Sequence, residues 1–195
     1  MADKLGAHEV LELHEIMMDS INGINQFELY RPHVREQQLR SILDNQIQFM
    51  KQEYNQLVST LQGKGIGTPA RTISTGVVGT TPSAVSPNYG LDHPTPQSPN
   101  QQTNQLDDRD IASGMLGCAK SSALLRMHGA LECADPQIRQ MVLEGAQSCA
   151  NQAYEIWQYM NQQGYYQVPT LQANTQQTMV NLYQPTQQTQ TGFTQ

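Results

Sequence analysis

From about residue 7 to 29 the apolar side chains Val10, Leu13, Met17, Ile21, Ile24 and Phe27 return every three or four positions. That interval places them on one face of an α-helix. Gly23 weakens the helix, and Arg31-Pro32 closes it, because the residue before a proline is pushed out of helical geometry. A second helix is expected from near Pro32, where Leu39, Leu43, Ile47, Met50, Tyr54, Leu57 and Leu61 repeat the spacing until Gly63 and Gly65 end it. At ~1.5 Å per residue this helix is on the order of 45 Å long, a length suited to a bundle. Residues 1–62 therefore read as a helical hairpin.

A second hairpin is announced by Leu106-Asp107-Asp108-Arg109-Asp110, whose carboxylates can cap free backbone N–H groups and favour the positive end of a helix dipole. The stripe that follows is Ile111, Met115, Cys118, Ser122, Leu125 and Gly129. Gly114, Gly117, Ala119 and Ala123 imply that a neighbouring helix comes close. Asp135-Pro136 then supplies a cap and a first-turn proline. The fourth stripe is Ile138, Met141, Val142, Gly145, Cys149, Gln152, Ile156, Tyr159 and Met160, ending before Gly164. Neither hairpin can hide its stripe alone, so one bundle is expected.

Between the hairpins, residues 63–105 are rich in Gly, Pro, Ser, Thr and Asn and read as a disordered linker. A flexible segment of that length spans roughly 35 Å and can travel the length of a bundle. Helices two and three can then run parallel, as the long crossover of a ferritin-like bundle requires. The fold expected is all-α: a ferritin-like four-helix bundle made of two helical hairpins joined by a long disordered crossover linker. Residues 168–195 form a Gln/Thr-rich tail without a charged side chain, read as a contact or cross-linking surface or as a solvated tail with no role.

Composition narrows the function. The chain has 195 residues, of which 37% are hydrophobic and 14% charged, with a formal net charge of −6. An acidic chain without a basic stretch is not suited to bind nucleic acid or an anionic lipid surface. No uninterrupted apolar stretch suggests a signal peptide or membrane insertion, and synthesis in the cytoplasm is expected. Cys118, Cys133 and Cys149 have no paired spacing and read first as small core residues.

The order and spacing of several short segments resemble the spore coat protein F family of endospore-forming bacteria. These are Asp108-Arg109-Asp110-Ile111-Ala112, Ala119-Lys120-Ser121, Asp135-Pro136-Gln137-Ile138-Arg139 and Tyr159-Met160-Asn161-Gln162-Gln163-Gly164-Tyr165-Tyr166. The likeness covers residues 106–167, and Gly6 to Glu15 resembles the N-terminal helix of longer relatives. It implies a ferritin-like bundle, synthesis in the mother-cell cytoplasm and incorporation into the spore coat, with other spore coat proteins as partners and self-association possible. The Gly- and Ala-rich third helix, the long linker and the Gln-rich tail depart from the family pattern.

Catalytic and metal chemistry find little support. A ferritin-like di-metal centre needs inward carboxylates and Glu-x-x-His pairs, and no Glu-x-x-His occurs. Glu9 and His14 are expected on opposite edges of the first stripe, and His8, Glu12 and Glu15 on its outer face. Glu36, Glu53, His128, Glu132, Glu144 and Glu155 are mostly expected beside the stripes. No catalytic residue, cofactor or metal ligand is assigned. Gly63-Lys64-Gly65-Ile66-Gly67 follows a helix and reads as a terminator rather than a phosphate loop. The expectation is a structural coat component that docks to other proteins and is open to cross-linking. The alternative is a ferritin-like metal binder with an unusual site using Glu9 and His14. Cys118 and Cys149 are expected within about one helical turn of each other, with a disulfide as one outcome after the mother cell lyses.

Overall fold

The computed structural model describes residues 5–62, 86–99 and 106–185, all helical apart from turns and connecting segments. Four long helices, α1 (Ala7–Tyr30), α2 (Gln37–Leu61), α3 (Asp108–Glu132) and α4 (Pro136–Gln162), form the bundle, and a short α5 (Ala173–Val180) follows. The second helix begins later than Pro32. Arg31–His33 is a 3-10 turn, and Val34 to Glu36 are extended before α2 starts. Proline at the head of that turn is satisfied without a backbone donor.

Pairings between helices give the topology. Asp19 accepts from Ser122 at 2.6 Å and Glu12 faces His128 at 3.6 Å, so α1 and α3 run antiparallel. Tyr159 donates to Glu36 and Gln46 donates to Glu155 at 2.8 Å, so α2 and α4 also run antiparallel. With α1 reversed into α2 and α3 into α4, α2 and α3 are parallel. This is the ferritin-like order that a long crossover permits.

The crossover between residues 63 and 105 lies largely outside the described residues. In its described part, Asn88 N–H donates to Asn161 Oδ1 at 2.8 Å and Gly90 N–H to Val168 O at 2.8 Å. Those bonds hold the segment against the C-terminal end of α4. That end is shaped by Gly164 at φ +72°, a left-handed position that suits glycine, with Tyr165 and Tyr166 N–H groups turned back to Met160 O. Residues 186–195 of the expected tail lie outside the described residues.

The core falls into two clusters. One joins Phe27, Leu43, Ile47, Met115, Ile156 and Tyr159, and the other joins Leu13, Ile16, Leu57, Ala130, Ile138 and Val142. Along α4 the buried line follows the expected stripe, apart from Met141, which is only partly buried. Along α1 it is offset, running Glu9, Leu13, Ile16, Ser20, Gly23 and Phe27, while Val10 is half exposed and Met17, Ile21 and Ile24 lie at the margins. The cause is the close approach of α3, which needs small residues at the contact.

Gly129 shows how close that approach is, since a β-carbon there would stand 2.8 Å from Ile16 Cδ1. Ile16 is fully buried, so its side chain can move only by displacing packed neighbours. Gly129→Val is therefore expected to destabilise the fold by about 1 to 3 kcal/mol through overpacking, read as a lower denaturation midpoint. An unchanged midpoint would show that α1 can yield.

Candidate functional site

Midway between the two apolar clusters the bundle turns polar. Arg126 of α3 and Gln152 of α4 are each only 5% exposed, and the side chain of Glu53 on α2 is 13% exposed. They surround a cavity of about 20 Å³ that Cys118, Cys149 and Met50 also line. A space of that size is on the scale of a single water molecule and excludes organic substrates.

The guanidinium reaches this position because α4 leaves room for it. A β-carbon on Gly145 would lie 2.6 Å from Arg126 Nη1. Arg126 Nη2 donates to Ser20 Oγ at 3.0 Å and stands 4.0 Å from Glu53 Oε2. Ser20 in turn donates to Ile16 O at 2.7 Å. Arg126 Nε and Gln152 Nε2 reach no protein acceptor.

Electrostatics here follow from burial. The Glu53 carboxyl is pushed up to about 7 by loss of water, with the nearby Arg126 charge opposing that rise. Burial also pushes the Cys149 thiol up to about 12 and raises Cys118. Thiols raised in this way stay protonated at neutral pH and are poor nucleophiles. The centre thus combines a fixed cation, a carboxyl that titrates near neutrality and two protonated thiols.

The residues considered for metal binding do not converge there. Glu9 is buried rather than placed at an edge, a correction to the sequence expectation. Its two oxygens are engaged by backbone N–H groups of Gly6 and Asp135. Those hydrogen bonds, from Asp135 first and Gly6 second, hold its carboxyl below the usual range. A buried carboxylate is stable where it closes such a chain junction, here between the start of α1 and the α3–α4 turn. His14 is exposed, and Glu15 is exposed beside it. His8 and His128 lie on the outside, 4.0 Å from Glu132 and 3.6 Å from Glu12 respectively.

Glu53 is the second correction, since it faces the centre instead of lying beside the stripe. Glu36 and Glu155 serve as acceptors for Tyr159 and Gln46, and Glu144 accepts from Gln140 on the surface. Among the described residues no group of three or more His, Cys, Asp or Glu side chains is placed to hold a metal ion. Cys118, Cys133 and Cys149 are free thiols in this structure. Trp157 stacks on Tyr154 at 5.5 Å along α4, and Tyr165 meets Tyr159 edge-on at 6.2 Å at the C-terminal end of that helix. Among the described residues no helix is long and apolar enough to cross a membrane.

A second polar constellation sits at that end, and sequence reasoning missed its purpose. Asp107 caps α3 by accepting from Asp110 N–H, as the acidic run suggests. Asp108 turns away from its own helix and accepts from Arg35 N–H at 2.8 Å and Glu36 N–H at 3.0 Å. It thereby holds the extended entry to α2, which has no side-chain cap of its own.

Residues 107–169 match the Coat F domain family. Over 182 residues the chain is 31% identical to Spore coat protein F-like protein YhcQ of Bacillus subtilis (strain 168), which covers 93% of this chain and 82% of that protein. A crystal structure from Bacillus halodurans C-125, of a protein designated a candidate spore coat protein, shares the fold. Its TM-score is 0.62 at 15% identity, over 88% of this chain and 97% of that one.

Proposed function

Because this chain belongs to the spore coat protein F-like family, we propose that it is a structural component of the bacterial endospore coat, made in the mother-cell cytoplasm and retained by docking to other coat proteins. The observation that carries this reading is the extent of the likeness: it runs through both hairpins rather than through a single motif. The bundle's own chemistry agrees with a structural role. The cavity lined by Arg126, Glu53 and Gln152 is of water size, and the thiols beside it are held protonated.

The surface supports docking rather than turnover. Leu11, Leu29, Leu124 and Leu131 are well exposed on the bundle, and the tail beyond Val168 is exposed throughout its described length. Gln172, Gln176 and Gln177 are among those exposed side chains, which makes the tail accessible for cross-linking through its carboxamides. Exposed apolar residues that line up on helices are suited to partner contacts.

A fluorescent fusion imaged in sporulating cells tests the assignment. A ring around the forespore is the expected outcome. A diffuse signal throughout sporulation would overturn the assignment to the coat.

A further inference from the structure

Buried polar groups are satisfied as a rule, so an orphaned one points to a partner from outside the chain. Among the described residues five buried side-chain nitrogen or oxygen atoms reach no partner, and three of them are Glu53 Oε2, Arg126 Nε and Gln152 Nε2. These three belong to three different helices, α2, α3 and α4, and their residues all line the cavity of about 20 Å³. Scattered through a core, such atoms would each be a separate cost. Gathered around one cavity, they form a binding site.

The protein cannot relieve all three by itself. Arg126 Nη2 is engaged by Ser20 Oγ at 3.0 Å and stands 4.0 Å from Glu53 Oε2, beyond hydrogen-bond reach. Closing that gap would still leave Gln152 Nε2 without an acceptor. Bulk solvent does not supply the bonds either, because Arg126 and Gln152 are each only 5% exposed. On its other side α4 is tied to α2, since Gln152 O accepts from Gln46 Nε2 at 3.3 Å.

The count of donors and acceptors selects the ligand. Arg126 Nε–H and Gln152 Nε2–H can only donate, whereas an ionised Glu53 can only accept. A halide would accept from both donors but is repelled by the Glu53 carboxylate and by Asp19, which also lines the cavity. An ammonium ion would donate to Glu53 but is repelled by the guanidinium. Water has two lone pairs for the two donors and a proton for the acceptor. Three polar partners are the usual number for a buried water, and about 10 to 15 Å³ is room enough for one.

We propose that the cavity binds a single water molecule, which accepts from Arg126 Nε and Gln152 Nε2 and donates to Glu53 Oε2. The water then joins three helices and both hairpins at the centre of the bundle. Arg126 and Glu53 act on one another through it rather than by direct contact. This site is a property of the fold and stands apart from coat membership.

Deuterium relaxation dispersion of the solvent, measured on the full chain, counts internal waters held longer than the protein takes to tumble. Cys149 lines the cavity and is 5% exposed, so Cys149→Val places an extra methyl group where the water would sit. The wild type is expected to hold one long-lived water more than Cys149→Val. Gln152→Met, which keeps the length of the side chain and removes its donor, is expected to shorten the residence of that water at least about fivefold. Equal water counts in the wild type and Cys149→Val, or an unchanged residence in Gln152→Met, would overturn the proposal. Should either variant lose its helical circular dichroism, a high-resolution crystal structure of the wild type decides. A solvent peak about 2.7 to 3.2 Å from all three atoms is the expected result. No peak there, or a direct Arg126–Glu53 bond that closes the cavity, would count against it.

Discussion

Arg126→Met is expected to destabilise the bundle by up to about 1.4 kcal/mol more at pH 8 than at pH 5. At the higher pH the substitution leaves Glu53 either ionised without its neighbouring cation or forced to bind a proton. At the lower pH Glu53 is already neutral, and the loss is confined to the Ser20 hydrogen bond and to packing. The wild type carries the same dependence in milder form. The folded-state carboxyl titrates at about 7 against an ordinary value of 4.5, so the fold favours its protonated form. The stability that this carboxyl contributes is then fully present below 4.5 and is lost as the pH rises to about 7, by up to about 3 kcal/mol. Glu53→Gln imitates the protonated form and is expected to flatten that decline, matching the wild type at pH 5 and exceeding it at pH 8. Denaturant titrations of the three proteins at both pH values check this. Equal losses for Arg126→Met at pH 5 and pH 8 would show that the pair is not coupled.

The residues that make this centre were the least legible in the sequence. A search for apolar side chains at helical spacing reads α4 well, because Ile138, Val142, Ile156 and Met160 mark the buried line themselves. The same search misreads α1, where that line passes through Glu9, Ser20 and Gly23. Polarity hides such positions, since a buried serine or glutamate with all its partners looks like any surface residue until those partners are known. Arg126 was missed in the same way, yet a signal existed. Met115, Ala119, Ser122, Arg126 and Gly129 keep the alternating spacing of four and three that places residues on one face regardless of polarity. Gly145 in the middle of α4 was the complementary sign, a gap opposite something large.

The ends of the helices were more legible because local chemistry decides them. Asp135 accepts from Gln137 and Ile138 N–H groups at 2.8 and 2.9 Å, and Pro136 takes the first turn, as the dipeptide indicates. At Asp107-Asp108-Arg109-Asp110 local reasoning was right for only part of the run. It assigned every carboxylate to α3, whereas Asp108 engages a backbone more than seventy positions earlier in the chain. Nothing within one helix could reveal that, because the bond exists only once the two hairpins have docked.

Asp108→Ala is accordingly expected to cost about 2 to 4 kcal/mol, since it strips a charged acceptor from two N–H groups at a partly buried junction. Asp107→Ala, which removes an ordinary cap from α3, is expected to cost about 1 kcal/mol. Asp108→Asn should fall between, because it keeps an acceptor oxygen without the charge. The effect should also spread to Glu36, whose N–H is held by Asp108 and whose carboxylate accepts from Tyr159. Once Asp108 is gone the entry to α2 is free to fray, so Tyr159→Phe should cost less in Asp108→Ala than in the wild type. A double-mutant cycle on denaturation midpoints measures that coupling. Additive losses, or an Asp108→Ala no worse than Asp107→Ala, would mean that the acidic run acts only within α3. A positive coupling would give this part of the Coat F match a physical purpose: one carboxylate starts the second hairpin and the next fastens it to the first.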